Sequence, residues 1–232
     1  MLRWLAAILI LPLAPPAQEP ASEVSGVVRF TGAHKPQRLN DQIRKDKHGG
    51  PHLDGRDIFN EDVVVGSKGE LANVLVRVKG PVKGDFPAPK DPVVLDAKDY
   101  LFRPRVLVLR PGQTFVMKNS SFDRFNFDVR TRRSSTMNVG ITRGGSREMQ
   151  FTEAEIGIEV KHLCCPWQVA WVHVIEHPFY AVTGADGTFK IKGLPAGTYE
   201  MEAWHEKFGV RAATVTLDGK GALAQDFVFE GK

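Results

Sequence analysis

The chain has 232 residues, with 31 Lys and Arg against 27 Asp and Glu, 22 Gly, 15 Pro and two Cys. At 42% hydrophobic and 25% charged it has ordinary globular composition, which excludes a disordered, collagenous or disulfide-packed chain. A formal charge of +4 is small and dispersed, and gives no case for nucleic acid as a partner.

In MLRWLAAILILPLAPPA, Arg3 precedes an apolar run from Trp4 to Ala14, followed by small residues and Pro. This pattern predicts a signal peptide over residues 1–17, because the apolar run is too short for the roughly 20 residues of a spanning helix. The expectation is an exported protein, periplasmic or extracellular, with no transmembrane segment after cleavage.

Downstream, short alternating or fully apolar runs are separated by Gly, Pro, Asn and Asp, which predicts strands. In chain order they are Val24–Phe30, Val63–Val65, Asn73–Val78, Val93–Leu95, Val106–Leu109, Thr114–Lys118, Phe125–Arg130, Ser146–Phe151 and Gly157–His162. Val169–Ile175, Tyr180–Thr183, Thr188–Lys192, Gly197–Trp204, Val210–Leu217 and Ala224–Phe229 follow. The predicted class is all-β, built as sandwiches or barrels. Between His34 and Asp62 the chain is polar and irregular, with a helical turn expected around Leu39–Arg44; a loop of that length is usually functional or mobile. In FNFDVR, alternation places Phe125, Phe127 and Val129 inside and Asn126, Asp128 and Arg130 outside.

The run AVTGADGTFKIKGLPAGTYEMEAWH, Ala181 to His205, sets a tight turn at Asp186 and Gly187 and a second at Gly193, Pro195 and Gly197. It resembles the carboxypeptidase regulatory-like domain, a small transthyretin-like sandwich. That family's opening strands are matched only far upstream, by VSGVVRF (Val24–Phe30) and ANVLVRVKG (Ala72–Gly80). The resemblance implies one discontinuous sandwich from residues 22–82 and 179–230.

The stretch between, 83–178, resembles a cupredoxin, a Greek-key sandwich, through RPGQTFVMKNSS (Arg110–Ser121) and VKHLCCPWQVAWVHV (Val160–Val174). Such domains hold blue copper with one thiolate, two imidazoles and a weak axial thioether. In this sequence the resemblance puts His162 in the family's Cys position, Cys165 in its His position and Gln168 in its Met position. Phe125 occupies the upstream His position, and Asp128 is the nearby hard donor that could replace it. The implied ligand set is His162, Cys165, Gln168 and Asp128, for copper or zinc, while a typical blue site is not expected. Tyr100 and Arg105 stand where related chains carry Cys and His, and the upstream loop has His48 and His52 but no Cys.

Other readings of the loop stay open. His162 and Cys165 could be inert residues packed against Trp167 and Trp171, and adjacent Cys164 and Cys165 allow a cramped vicinal disulfide or a redox role. Enzyme signals fail: AWHEKFG lacks the second His of a zinc-protease helix, with Gly209 in its place, and no nucleophile elbow, phosphate loop or dinucleotide fingerprint is present. Glu153 and Glu155 read as solvated acids. Arg124, Arg130, Arg132, Arg133, Arg143 and Arg147 cluster near Phe122, Phe125 and Phe127, which suits a solvated edge or an anionic envelope partner, a glycan or a protein. The expectation is a non-enzymatic envelope binding or scaffold module needing no cofactor. The alternative is copper-based electron transfer through a rearranged His162, Cys165 and Gln168 set.

Overall fold

The computed structural model describes residues 22–47 and 50–231, so the expected signal segment lies outside the described residues. The chain opens with β1 (Ser22–Thr31), α1 (Asn40–Lys45), a short 3-10 turn and β2 (Leu75–Val78). Then come β3 (Val93–Lys98), β4 (Leu101–Arg103), β5 (Val106–Leu109), β6 (Thr114–Asn119), β7 (Phe125–Arg130) and β8 (Met137–Ile141). Next are β9 (Ser146–Gln150), β10 (Glu155–Lys161), β11 (Val169–Val174), β12 (Tyr180–Val182) and β13 (Thr188–Leu194). The last are β14 (Gly197–His205), β15 (Gly209–Leu217), β16 (Ala222–Ala224) and β17 (Phe227–Glu230). The fold is all-β, in four sheets.

Two of those sheets close on one core. β1 lies antiparallel to β13, with Val24 opposite Ile191, and parallel to β16 and β17. The second sheet runs β12-β2-β14-β15. Their inner faces bury Val24, Val28, Phe189, Ile191 and Phe229 against Val76, Val78, Met201, Ala203 and Val215. Thus the first strands of the chain pair with strands that begin at Tyr180 or later. Gly26 is required by this arrangement: a Cβ there would lie 2.0 Å from the carbonyl oxygen of Gln225, where the chain passes from β16 to β17.

The other two sheets run β5-β11-β10-β7-β8 and β4-β3-β6-β9. Between them lie Leu95, Phe102, Leu107, Phe115, Met117, Phe127, Val129, Phe151, Ile158, Val160 and Val172. Leu75, Val106, Val108 and Ile175, with Trp171 and Trp204 against them, join this sandwich to the first. At that junction Arg105 and Glu206 form an ion pair with side chains only 5% and 7% exposed, Nη2 donating to Oε2 at 2.9 Å.

Several local expectations change. Val63–Val65 forms an isolated bridge between Val65 and Leu71 rather than a strand. Ala224–Phe229 is interrupted at Gln225 and Asp226 because the Asp226 carboxylate accepts the Val27 N–H at 2.8 Å. β4 and β8 carry little apolar alternation and escape a periodicity reading. Phe125, Phe127 and Val129 are buried as expected, but Asp128 is buried too, its carboxylate accepting from Arg130 Nε at 2.6 Å and Asn138 Nδ2 at 3.1 Å. Glu155 is likewise no solvated acid: it is 7% exposed and accepts the backbone N–H groups of Arg132 and Arg133, each at 3.0 Å, capping the 131–134 turn.

Candidate metal centre

The site is built on the loop between β10 and β11. His162 N–H donates to the Gln168 carbonyl at 3.0 Å and Gln168 N–H donates to the Cys165 carbonyl at 2.9 Å, folding residues 162–168 back on themselves. This places His162, Cys164 and Cys165 together, their donor atoms all within 4.8 Å of one another. Cys164 Sγ lies 2.9 Å from His162 Nδ1 and 3.8 Å from Nε2, and the two sulfurs are 3.6 Å apart. Both cysteines are free; Cys164 is exposed and Cys165 buried.

These separations can be set against the chemistry of an ion. With metal–sulfur bonds of about 2.3 Å and metal–nitrogen bonds of about 2.0–2.1 Å, a tetrahedral ion holds S and S about 3.8 Å apart and S and N about 3.6 Å apart. The Cys164–Cys165 pair at 3.6 Å matches that spacing, whereas Cys164 Sγ and His162 Nδ1, 2.9 Å apart, are at hydrogen-bonding distance, so the imidazole must turn to share an ion with the sulfurs. A vicinal disulfide would need the sulfurs to close to about 2.05 Å. Burial, then the hydrogen bond to Cys164, pushes the Cys165 thiol well above its ordinary range, so without a cation it stays protonated at neutral pH.

Of the ligands expected from sequence, His162 and Cys165 are brought together. Gln168 lines the same cleft; its Nε2 donates to the Tyr100 carbonyl at 2.9 Å, and its buried Oε1 has no hydrogen-bond partner among the described residues. Asp128 is held by Arg130 and Asn138 and is outside the donor group. Phe125 packs its ring 4.3 Å from the His162 imidazole, so an apolar ring fills the place the resemblance reserves for a second imidazole.

Two contributors were not foreseen. Cys164 was visible beside Cys165, but the spacing argument assigned it no part. Asp46, just after α1, brings a carboxylate oxygen to 4.0 Å from Cys165 Sγ across 119 residues of sequence, and no local signal announces that approach. The segment around α1 buries Leu39, Ile43 and Ile58 against Tyr100, Leu101 and Trp167, so the long polar loop supplies one wall of the site. Among the arginines expected to form a basic patch, Arg130 and Arg132 are paired with Asp128 and Glu155.

The AWHEKFG segment has no metalloprotease geometry. His205 ends β14, is 1% exposed and stacks on Phe208 at 4.7 Å, an aromatic contact of the first sandwich.

No protein-family model matches the chain, and no curated protein matches it. Solved structures of cupredoxins match about 40% of it. A copper-containing nitrite reductase from Thermus scotoductus is 20% identical over 42% of this chain and 25% of its own, with a TM-score of 0.35. A Cu(I) amicyanin variant is 16% identical over 36% of this chain and 81% of its own, at 0.33. A purple cupredoxin from Nitrosopumilus maritimus is 17% identical over 35% of this chain and 98% of its own, at 0.30. The chain thus spans a quarter of the reductase's length. These are what part of the chain is similar to, and the likeness is one of fold alone.

Proposed function

We propose that this protein is an exported, non-enzymatic binding module that holds one d10 metal ion, copper(I) or zinc, through His162, Cys164 and Cys165. The observation that carries this reading is the convergence of one imidazole and two thiols, their donor atoms within 4.8 Å of one another and the two sulfurs 3.6 Å apart. Two sulfurs and one imidazole are soft or borderline donors and suit these ions better than magnesium or calcium. The buried, unpartnered Oε1 of Gln168 offers a weak oxygen near the same cleft.

Binding is favoured over blue-copper electron transfer by the composition of the site. A blue centre uses two imidazoles, one thiolate and a weak axial ligand. Here Phe125 packs against the lone imidazole, and two thiols are present instead of one. Export is supported by the pattern of the first 17 residues.

The test is metal retention. Reduced protein is loaded anaerobically with copper(I) or zinc, desalted, and its metal measured by mass spectrometry. One equivalent is expected, and none in a Cys164→Ser/Cys165→Ser variant. Failure of folded, reduced protein to retain either ion overturns the proposal.

A further inference from the structure

The metal donors line a cleft of about 520 Å³, far more space than an ion requires. That volume falls in the range of small-molecule sites, which are mostly apolar with a few placed polar groups. Ile43, Tyr100, Phe122, Phe125 and Trp167 supply apolar and aromatic surface, and Arg124, Asn126 and Asn138 supply polar groups. Phe122 already stacks with His52 at 4.6 Å and meets Tyr100 at 5.0 Å, so the aromatic wall is continuous.

Three further features point to an occupant. Tyr100 is held at φ 67°, a left-handed conformation that is rare for a bulky side chain and that tends to mark functional sites. Tyr100 Oη and Trp167 Nε1, both able to donate to an anion, are buried without hydrogen-bond partners among the described residues. The guanidinium of Arg124 makes no ion pair among those residues and lies directly over Gly140, where a Cβ would stand 2.3 Å from Nε. Asp46 and Asp123, the carboxylates on the lining, already have partners.

We propose that this cleft binds a small planar aromatic carboxylate, its ring against Phe122, Phe125 and Trp167 and its carboxylate on Arg124. Aromatic rings recognise a flat apolar body, and a guanidinium matches a carboxylate with two parallel hydrogen bonds. Gly140 leaves room for the guanidinium above its strand. This site does not depend on a bound ion.

The probe is benzoate, with neutral benzyl alcohol as its control, added to full-length, metal-stripped protein and read by saturation-transfer NMR. Transfer to the benzoate ring is expected, with benzyl alcohol bound about tenfold more weakly. Arg124→Ala abolishes that preference, and Arg124→Lys retains part of it. Absence of transfer to benzoate at millimolar concentration overturns the proposal. So does a preference for benzoate that survives Arg124→Ala in a variant with native circular dichroism. Because the protein is metal-free, failure here is distinct from failure of the metal centre.

Discussion

Cys164 Sγ stands 2.9 Å from Nδ1 of His162, two residues back along the same loop. An ion shared by the two side chains would take the place of that contact and open it to about 3.6 Å. Replacing His162 by Ala should therefore lower zinc or copper(I) affinity by at least about tenfold without unfolding the protein. Competition with a chromophoric chelator measures it, and unchanged affinity in His162→Ala would remove the imidazole from the site.

Metal uptake should release protons. The buried Cys165 thiol must become a thiolate to bind, and burial holds its pKa far above neutrality. Affinity should then rise with pH by about tenfold per unit for each proton displaced. Calorimetry in buffers of different ionisation enthalpy counts those protons, and a value of zero at pH 7 would contradict the assignment.

Buried imidazoles, His173 and His205 most strongly, give a pH dependence that belongs to folding. Burial holds His173 down to about 3, and burial followed by the nearby Arg105 charge holds His205 down to about 4. Below the ordinary value of 6.5 the unfolded chain takes up protons that the native chain refuses, so stability is full above 6.5 and falls as pH drops toward the folded values. Each residue contributes a slope of up to about 1.4 kcal/mol per pH unit. The urea midpoint should fall between pH 6.5 and 5, above the range where carboxylates titrate. His173→Gln should flatten the slope; equal slopes in the two proteins would show that His173 takes up its proton as readily in the fold as in the unfolded chain.

Glu206→Gln should destabilise the protein by about 3–5 kcal/mol, because it leaves the Arg105 guanidinium charged and buried between the two sandwiches. The double change Arg105→Met/Glu206→Leu should recover much of that loss. Equilibrium urea unfolding decides the matter, and a cost below about 1 kcal/mol for the single change would mean that the pair is wet.

Much of the fold is legible in residue order because strand periodicity is local. Val106–Leu109 and Phe125–Arg130 have the bounds that their apolar runs predict, and Asp186-Gly187 marks a turn. The irregular strands are different: β8 reads Met137–Ile141 with one fully buried residue, and its place comes from pairing with β7. The site divides the same way. His162 and Cys165 stand in one short loop and are legible as candidates through the resemblance, whereas Asp46 and the aromatic wall arrive by tertiary packing of the 34–62 loop. Asp128 illustrates the limit of alternation, which assigned it to solvent; a cross-strand Asn138 and its own neighbour Arg130 give it buried partners.

X-ray absorption at the metal edge of the zinc-loaded protein tests the central claim most directly. The account predicts sulfur scatterers at about 2.3 Å together with imidazole nitrogen at about 2.0–2.1 Å, and loss of the sulfur shell in Cys164→Ser/Cys165→Ser. A first shell containing only nitrogen and oxygen would contradict it.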